Sequence, residues 1–207
     1  MAKDIFIECL QKYEEYKSKN GLWDFDDLSV KVISLLRDNP NILLKYRELF
    51  KYILVDEFQD CDELQIQFLK MINQENSLFA VGDEDQCIYS FRGSKPEYMV
   101  RFDETFPKAK KIYLSINYRS NDNIVEVSKE VIKNNKSRND KVINSYKDSI
   151  GVIKFTRPYD EKIQGDEIAG IIEKSIDDLS DNAVLYRTNM EARSMIDTFT
   201  RRRIPFV

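Results

Sequence analysis

The chain has 207 residues, 33% of them charged, and its formal net charge of −4 at pH 7 argues against a simple electrostatic nucleic-acid binder. It contains no histidine, which excludes Ser-His-Asp and Cys-His triads, histidine-ligated zinc or haem sites and acid–base chemistry by imidazole. Any catalysis must therefore use carboxylates, amides, Lys or Arg side chains, or a bound metal ion.

The first part of the chain predicts three helices. Apolar side chains at helical spacing indicate a helix over residues 5–19, which Gly21 ends. Asp24 is the expected N-cap of a second helix that stops near Asn39 and Pro40. A third helix follows, with apolar positions at Leu43, Tyr46 and Phe50.

From residue 52 onward, short apolar runs alternate with helical spacing. The runs at 52–55, 78–81 and 112–114 predict three strands, and a wholly apolar run is typical of a strand buried on both faces of a parallel sheet. Between the strands we predict one helix after an N-cap at Asp62 and another that begins at Pro96. This order predicts an α/β sheet with helical crossovers.

Beyond Asn117 the pattern indicates a second α/β unit. A helix around Ile124 leads into the polar residues 133–147, which we expect to form an exposed connection of solvated charges. The unit is completed by predicted strands at 152–155 and 183–186 and by predicted helices over 168–176 and 190–203.

The cysteines and the apolar runs predict a cytoplasmic protein with no membrane partner. The three cysteines are odd in number and form no CxxC pair, so we expect reduced, mostly buried thiols. Glu8 interrupts the first apolar stretch, which predicts no signal peptide, and no uncharged apolar run approaches the about 18 residues of a membrane span.

The first segment that indicates chemistry is VDEFQD at 55–60, which directly follows a predicted strand. Ligands of a parallel sheet bind beyond the carboxyl ends of its strands. There Asp56 could hold Mg²⁺ through water, and Glu57 could orient an attacking water. The alternative is a group of helix-capping acids, which we favour for Asp60, Asp62 and Glu63.

The second segment is GDEDQCIYSFRG at 82–93, which is expected at the same sheet edge. Gln86 is neutral and could bond a phosphate or water without repelling it. Tyr89, Phe91 and Arg92 offer two aromatic faces and a cation, which suits stacking on single-stranded bases, worth about 1–3 kcal/mol per base. The alternative is a core aromatic pair beside a surface arginine.

The third segment, LSINYRS at 114–120, ends the third predicted strand. Arg119 could bind a phosphate through two hydrogen bonds, and Tyr118 could stack on a base.

Together, the segments at 56–60, 81–93 and 117–120 have the order and spacing of the UvrD/Rep-like superfamily 1 DNA helicases, which the chain resembles over nearly its whole length. Segments 24–28 and 183–189 resemble two further segments of that family. Two positions depart from its pattern, because Phe91 stands where many members have Trp and Cys87 where Ser is common.

The resemblance implies roles for the matching residues. Asp56 would bind the Mg²⁺ of bound ATP, and Glu57 would activate the hydrolytic water. Gln86 and Arg119 would sense and stabilise the γ-phosphate, Arg119 as an arginine finger, while Tyr118 would stack on adenine. Single-stranded DNA would be contacted by Phe25, Tyr89, Phe91 and Arg92.

The glycine-rich phosphate loop that these helicases need is missing from the chain. Gly165 and Gly170 have its glycine spacing, but Ile171 and Ile172 follow in place of Lys and Ser or Thr. The resemblance therefore implies an internal fragment with a partial RecA-like, P-loop NTPase fold. Residues 1–116 would be the C-terminal part of the first RecA-like domain with a preceding helical segment, and 117–207 the start of the second.

The resulting prediction is a fragment of an ATP-dependent DNA helicase that uses ATP and Mg²⁺. Its partners would be single-stranded and duplex DNA and the remainder of the helicase. We expect no ATP hydrolysis by the isolated chain, because the phosphate loop is absent. The alternatives are a non-catalytic DNA- or partner-binding module and a metal-dependent phosphodiesterase built on Asp56, Glu57, Asp83 and Asp85.

Overall fold

The structure is a computed structural model that describes residues 2–73, 77–174 and 178–207. It comprises two compact units, Met1–Gly151 and Val152–Val207. Each unit has its own apolar core. The division at Gly151 differs in position from the domain boundary after residue 116 that the resemblance implies, and that boundary stays a prediction.

The three predicted N-terminal helices are confirmed as α1 (Ala2–Asn20), α2 (Phe25–Asp38) and α3 (Pro40–Leu49). Gly21 has φ +62°, a left-handed conformation that suits glycine, and it follows the last residue of α1. Asp24 caps α2 as predicted. Its carboxylate accepts the Asp27 backbone N–H, and the Asp27 carboxylate accepts the Asp24 N–H in return.

α1 is attached to the start of α2 through Lys17, the one buried residue among residues 3–20. The Lys17 ammonium lies 2.9 Å from Glu14, 2.8 Å from Asp24 and 3.0 Å from Asp27. Burial alone would lower the pKa of Lys17, but hydrogen bonds to these three carboxylates raise it. The hydrogen bond from Lys17 likewise lowers the pKa of Asp24.

Two of the predicted strands form a parallel pair, β1 (Ile53–Val55) and β2 (Leu78–Ala80), with Ile53 opposite Leu78. One face of this sheet packs on α4 (Glu63–Ile72) and on a core of Phe58, Ile66, Leu69 and Phe106. Leu54 and Phe79, on the other face, are 77% and 62% exposed. The prediction of burial on both faces is therefore wrong for the described residues.

The third predicted strand, at 112–114, is wrong. A strand requires a hydrogen-bonded neighbour, and Ile112 and Leu114 are exposed without such a partner in the described part of the chain. The helix predicted from Pro96 is confirmed but divides near Arg101 into α5 (Pro96–Val100) and α6 (Phe102–Thr105).

A second parallel pair lies further along the chain, between β3 (Ile116–Asn121) and β4 (Asn144–Lys147), with α7 (Asp122–Ile132) between them. The pairing has a register shift between Asn117 and Asn121. The exposed connection predicted over 133–147 is wrong at its end, because the polar residues of β4 form this strand with no apolar alternation to reveal it.

The unit Val152–Val207 contains α8 (Glu161–Ile172) and α9 (Ala192–Arg202), which pack around Ala169, Phe199 and Ile204. The strands predicted at 152–155 and 183–186 are absent from these described segments, where Val152 and Leu185 are each 93% exposed. Position 176 of the predicted helix lies outside the described residues.

Gly165 lies where α8 packs against α9. A packing role accounts for this glycine, which agrees with the view that its match to the glycine spacing of the phosphate loop is due to chance. A Cβ at this position would lie 2.9 Å from the Thr198 hydroxyl oxygen and 3.3 Å from the Ser194 carbonyl oxygen. The glycine therefore permits close helix packing.

The α/β class with short parallel sheets is confirmed, and no helix in residues 2–73, 77–174 and 178–207 is long and apolar enough to cross a membrane. All three cysteines are free thiols. Cys9 is exposed, whereas Cys61 and Cys87 are half-buried, so the prediction of mostly buried thiols is wrong for Cys9. Burial raises the pKa of the Cys61 thiol.

Candidate functional site

The loops that follow β1 and β2 are hydrogen-bonded to each other. The Val81 N–H donates to the Val55 carbonyl, and the Phe58 N–H donates to the Val81 carbonyl, both at 2.9 Å. The segment that begins with Asp56 therefore lies beside the segment that begins with Gly82, as the parallel sheet predicted.

Gly82 lets the two loops approach this closely. A Cβ at this position would lie 2.5 Å from Gln59 Oε1, 3.1 Å from the Phe58 nitrogen and 3.2 Å from the Gln59 nitrogen. Any side chain at position 82 would therefore separate the loops or displace Gln59.

Gln59 connects the predicted catalytic residues of the two loops. Its side chain is buried, and its Nε2 donates to Glu57 Oε2 at 2.7 Å, while its Oε1 accepts the Asp83 backbone N–H at 3.0 Å. Gln86 Nε2 donates to Asp83 Oδ2 at 2.8 Å. A continuous hydrogen-bond chain thus runs from Glu57 through Gln59 and Asp83 to Gln86.

The second of the two acids after β1 has an unusual backbone conformation. Glu57 has φ +49°, in the left-handed region that non-glycine residues seldom adopt and that is concentrated at functional sites. Its N–H donates to Asp56 Oδ1 at 3.0 Å, and both side chains are exposed. The sharp change of direction places Asp56 and Glu57 together where the strand ends.

Asp56 has the exposure and the oxygen atoms that a Mg²⁺ ligand needs. It is exposed, and one of its oxygens stays available beside the one that accepts the Glu57 N–H. Within residues 2–73, 77–174 and 178–207, no three Cys, Asp or Glu side chains are grouped as metal ligands. Mg²⁺ commonly binds through one or two carboxylates together with substrate phosphates, so this donor set fits a nucleotide-bound Mg²⁺.

Three consecutive acids, Asp83, Glu84 and Asp85, which we call the acidic triplet, are bound by cations from a distant part of the chain. Lys141 Nζ lies 2.5 Å, 3.2 Å and 3.1 Å from their respective carboxylate oxygens. Arg138 binds Asp85 alone, at 3.2 Å. The Glu84 and Asp85 side chains are only 4% and 3% exposed, so these contacts neutralise charges largely removed from water.

The ion pairs change the protonation of both partners. Burial alone would raise the pKa of Asp83, but hydrogen bonds from Lys141 and Gln86 hold it below its ordinary value. Burial would lower the pKa of Lys141, but hydrogen bonds to Asp83 and Asp85 raise it. Both residues are therefore charged at neutral pH.

The sequence interpretation missed Arg138 and Lys141, because the polar residues 133–147 predict only an exposed connection of solvated charges. The structure corrects this, since both cations bind the acidic triplet and the Asn139 backbone N–H donates to Glu84 at 2.8 Å. One signal was available. Three adjacent acids after a predicted strand require cations if they are buried.

Tyr89, Phe91 and Arg92 form a surface cluster. The two ring centroids are 5.8 Å apart, and the Arg92 guanidinium carbon lies 5.4 Å from the Tyr89 centroid and 5.7 Å from that of Phe91. Phe91 is 76% exposed, so the alternative of a core aromatic pair is wrong. Phe25, at the first residue of α2, is 90% exposed.

Tyr118 and Arg119 lie at the irregular part of the β3–β4 pairing. Asn117 Oδ1 accepts the backbone N–H groups of both Arg119 and Ser120 at 2.9 Å. The Tyr118 ring packs against Tyr146 of β4 with centroids 4.9 Å apart. Such bulges redirect side chains and are common beside active sites.

The structure thus brings Asp56, Glu57 and Gln86 into one group of connected loops. Tyr118 and Arg119 share a different strand, and among the described residues the Arg119 guanidinium forms no ion pair with Asp56 or Glu57. The Tyr89 cluster begins three positions after Gln86 in the chain.

Residues 1–107 match a family model described as the UvrD/REP helicase N-terminal domain, and residues 112–207 match one described as the UvrD-like helicase C-terminal domain. The putative ATP-dependent DNA helicase YjcD of Bacillus subtilis (strain 168) is 38% identical over 200 residues, which cover 95% of this chain and 26% of that protein.

Two further relatives are the ATP-dependent DNA helicase PcrA of Staphylococcus epidermidis and the probable DNA helicase II homolog of Mycoplasma capricolum subsp. capricolum. PcrA is 35% identical over 198 residues, covering 94% of this chain and 27% of its own. The DNA helicase II homolog is 35% identical over 205 residues, which cover 97% of this chain and 28% of that protein. The chain spans about a quarter of the length of these relatives.

The family matches agree with the residue patterns that the loops display. Both models describe parts of the same helicase type, and the first alone matches residues 1–107 of the 207. The chain therefore belongs to the UvrD/Rep family of DNA helicases.

Proposed function

We propose that this chain is a segment of an ATP-dependent DNA helicase that couples ATP hydrolysis to translocation on single-stranded DNA and to duplex unwinding. The observation that carries the proposal is the hydrogen-bond chain from Glu57 through Gln59 and Asp83 to Gln86. It joins the expected water-activating carboxylate to the expected phosphate sensor within one connected group.

The proposed architecture follows the family. Residues 1–116 contribute the C-terminal part of a first RecA-like domain, and residues 117–207 the start of a second. The remainder of the helicase supplies the phosphate-binding loop, and the protein acts on DNA in the cytoplasm.

Glu57 is the proposed general base. The Gln59 amide donates to one of its oxygens, which orients the carboxylate and leaves the other oxygen to accept a proton from water. Asp56 would hold Mg²⁺, and the ion would supply positive charge to neutralise the phosphates. The left-handed Glu57 backbone presents both acids at the end of β1.

Gln86 and Arg119 are the proposed γ-phosphate residues, and Tyr118 the adenine-stacking residue. Gln86 donates one amide hydrogen to Asp83, which orients its amide plane. Arg119 is held by the Asn117 turn, and Tyr118 by its ring contact with Tyr146. An arginine finger contributes about 10³–10⁵ to the rate of comparable reactions.

The proposed DNA contacts are Phe25, Tyr89, Phe91 and Arg92. The exposed Phe91 face and the adjacent guanidinium offer stacking and a phosphate contact in one place. Only Cys87 and Ile88 separate Gln86 from Tyr89, so a movement of Gln86 at the γ-phosphate can reach the DNA-binding residues over a short stretch of chain.

One observation favours a second candidate, a non-catalytic DNA-binding module. The cluster of Tyr89, Phe91 and Arg92 forms within this chain without a phosphate loop. A phosphodiesterase is disfavoured, because Lys141 and Arg138 occupy the Asp83 and Asp85 carboxylates that it would need for metal.

A substitution in the complete helicase that carries this segment tests the proposal. Glu57→Gln removes the proton acceptor and keeps the hydrogen-bonding shape, so kcat for DNA-stimulated ATP hydrolysis should fall about 10²–10⁴-fold while DNA affinity is retained. The control Glu63→Gln makes the same chemical change at the first residue of α4 and should leave kcat unchanged. A Glu57→Gln protein with full kcat would contradict the proposal.

DNA binding by the isolated chain and ATPase activity of the complete protein together distinguish the two candidates. Both allow the isolated chain to bind fluorescent single-stranded DNA with a loss on Phe91→Ala, whereas Phe155→Ala, which removes another exposed ring, should have no effect. The helicase proposal further requires DNA-stimulated ATPase activity in the complete protein. Its absence there, with DNA binding intact, would favour the module.

A further inference from the structure

We propose that Lys141 is a positioning residue for Gln86: it fixes Asp83, and Asp83 fixes the side-chain amide of Gln86. The inference rests on the proposed function, in which Gln86 contacts the γ-phosphate. It assigns a role to a loop residue outside the segments that the sequence motifs cover.

The Lys141 ammonium is surrounded by the acidic triplet. Its side chain is 10% exposed and contacts one oxygen from each of the three carboxylates, at 2.5–3.2 Å. An ammonium whose three N–H donors face three carboxylates has little freedom to move, so Lys141 holds the acidic triplet in place.

Asp83 transmits this position to Gln86. Asp83 Oδ1 accepts from Lys141 at 2.5 Å and from the Asp85 backbone N–H at 3.1 Å, and Oδ2 accepts from Gln86 Nε2 at 2.8 Å. Both carboxylate oxygens are therefore engaged. Among the described residues, Asp83 accepts only one of the two Nε2 hydrogens of Gln86, so the second hydrogen stays available to a phosphate oxygen, and the Gln86 Oε1 stays available to accept from water.

Removal of Lys141 leaves the triplet under-neutralised. Arg138 contacts Asp85 but not Asp83 or Glu84, so three adjacent carboxylates would share one cation. Loss of one partner from a largely buried ion cluster leaves an uncompensated charge, which relaxes towards water. Asp83 is the most exposed of the three at 32%, so it is the residue expected to turn outward and release Gln86.

The contact also spans a long distance in the sequence. Asp83 lies in the segment matched by the N-terminal family model and Lys141 in the segment matched by the C-terminal one. The orientation of Gln86 therefore depends on whether the Arg138–Lys141 loop is bound to the triplet.

Nuclear magnetic resonance of the 207-residue chain tests the geometry. In the wild type, the Gln86 side-chain amide should show one hydrogen-bonded, slowly exchanging proton. Lys141→Met should move this signal to the position of a free glutamine amide. Arg138→Met removes a cation from the same cluster without touching Asp83, so it should leave the signal in place. An unchanged Gln86 signal in Lys141→Met would overturn the proposal.

A second variant keeps the test decisive if Lys141→Met does not fold. Asp83→Ala removes both acceptor oxygens and leaves Lys141 bound to Glu84 and Asp85. It should shift the Gln86 signal as well. The conservative variant Lys141→Arg keeps the positive charge and should therefore keep most of the wild-type signal. A wild-type signal in Asp83→Ala would refute the relay through Asp83.

Kinetics in the complete helicase supply the functional readout. Lys141→Met should lower kcat for ATP hydrolysis about 10- to 100-fold through misplacement of Gln86, with little change in the KM for ATP. Arg138→Met should keep kcat near the wild-type value, and equal kcat values for the two variants would count against the role. A wild type without ATPase activity would refute the proposed function, while the Gln86 signal would still decide the positioning role of Lys141.

Discussion

Gln59 shows how one buried amide joins two loops that the sequence separates by more than twenty residues. Its nitrogen donates to Glu57 and its oxygen accepts from the Asp83 backbone, so the donor and the acceptor each contact a different loop. A buried polar side chain needs such partners, because leaving them unmade costs about 1–3 kcal/mol. Glu or Leu at position 59 could not make both contacts.

Gly82→Ala is expected to disrupt this arrangement. The added Cβ would lie 2.5 Å from Gln59 Oε1 and 3.1 Å from the Phe58 nitrogen, and the backbone neighbours cannot easily move. We expect the free energy of unfolding to fall by about 1–3 kcal/mol, measured by urea denaturation. The hydrogen exchange of the Asp83 amide should accelerate, since its acceptor is displaced.

Gly170→Ala is the matched control. Gly170 lies inside α8, and no described atom outside the backbone of its own helix is within 4 Å of a Cβ there. Alanine should therefore stabilise the helix by about 0.5–1 kcal/mol. Equal destabilisation by both substitutions would show that close approach is not the cause at Gly82.

Among the elements, α4 connects the sheet to the core, and its N-cap determines where it begins. Asp62 accepts the Gln65 backbone N–H at 2.8 Å, and Gln65 Oε1 accepts the Asp62 N–H at 3.0 Å. Asp62→Ala should lower the free energy of unfolding by about 1 kcal/mol, whereas Asp62→Asn, which retains an acceptor, should lose less. Urea denaturation of both variants measures the difference, and equal losses would contradict a capping role.

Helices were predictable here because their signals are local. Asp24 and Asp62 each cap a helix that an apolar periodicity continues, and all the determinants lie within a few residues. Strands were less predictable, because a strand needs a partner elsewhere in the chain. Residues 112–114 have the apolar pattern without a partner among the described residues, whereas β4 has a partner without the pattern.

The candidate site was predictable in part for the same reason. Asp56, Glu57 and Gln86 follow apolar runs, and the geometry of a parallel sheet brings their loops together. The sequence pattern at 117–120 identified Tyr118 and Arg119 as candidates. Their distance from Asp56, Glu57 and Gln86, however, depends on how segments far apart in the sequence pack. The partnership of Lys141 with Asp83 joins residues 58 apart in the chain and leaves no local pattern.

At the scale of the whole unit Met1–Gly151, the acidic triplet makes stability depend on pH. The folded-state pKa values of Asp83 and Asp85 lie below their ordinary values, although burial alone would raise them. Hydrogen bonds from Lys141 and Gln86 lower the pKa of Asp83. Hydrogen bonds from Asn135, Arg138 and Lys141 lower the pKa of Asp85. Depressed carboxyl pKa values stabilise the fold above about pH 4, and this contribution is lost as pH falls through the folded values.

The pKa of Lys141 is raised, so its contribution is complete below about pH 10 and is lost as pH rises through the folded value. Lys141→Met should therefore lower the free energy of unfolding by about 2 kcal/mol between about pH 5 and pH 9, with a smaller loss outside that range. Urea denaturation across pH measures this dependence. Lys136→Met, at an exposed position of the same loop, should give a small, pH-independent difference.

The attachment of α1 has a mechanical consequence. Phe6 lies eleven residues before Lys17, so the helix extends about 16 Å from its buried ammonium with exposed side chains. A force applied near Phe6 therefore exerts a torque on the ion pairs that Lys17 forms with the start of α2. Dissolved ions weaken the Lys17–Glu14 pair most, because the Glu14 side chain is 54% exposed, whereas they do not weaken the apolar contact of α4 with the sheet.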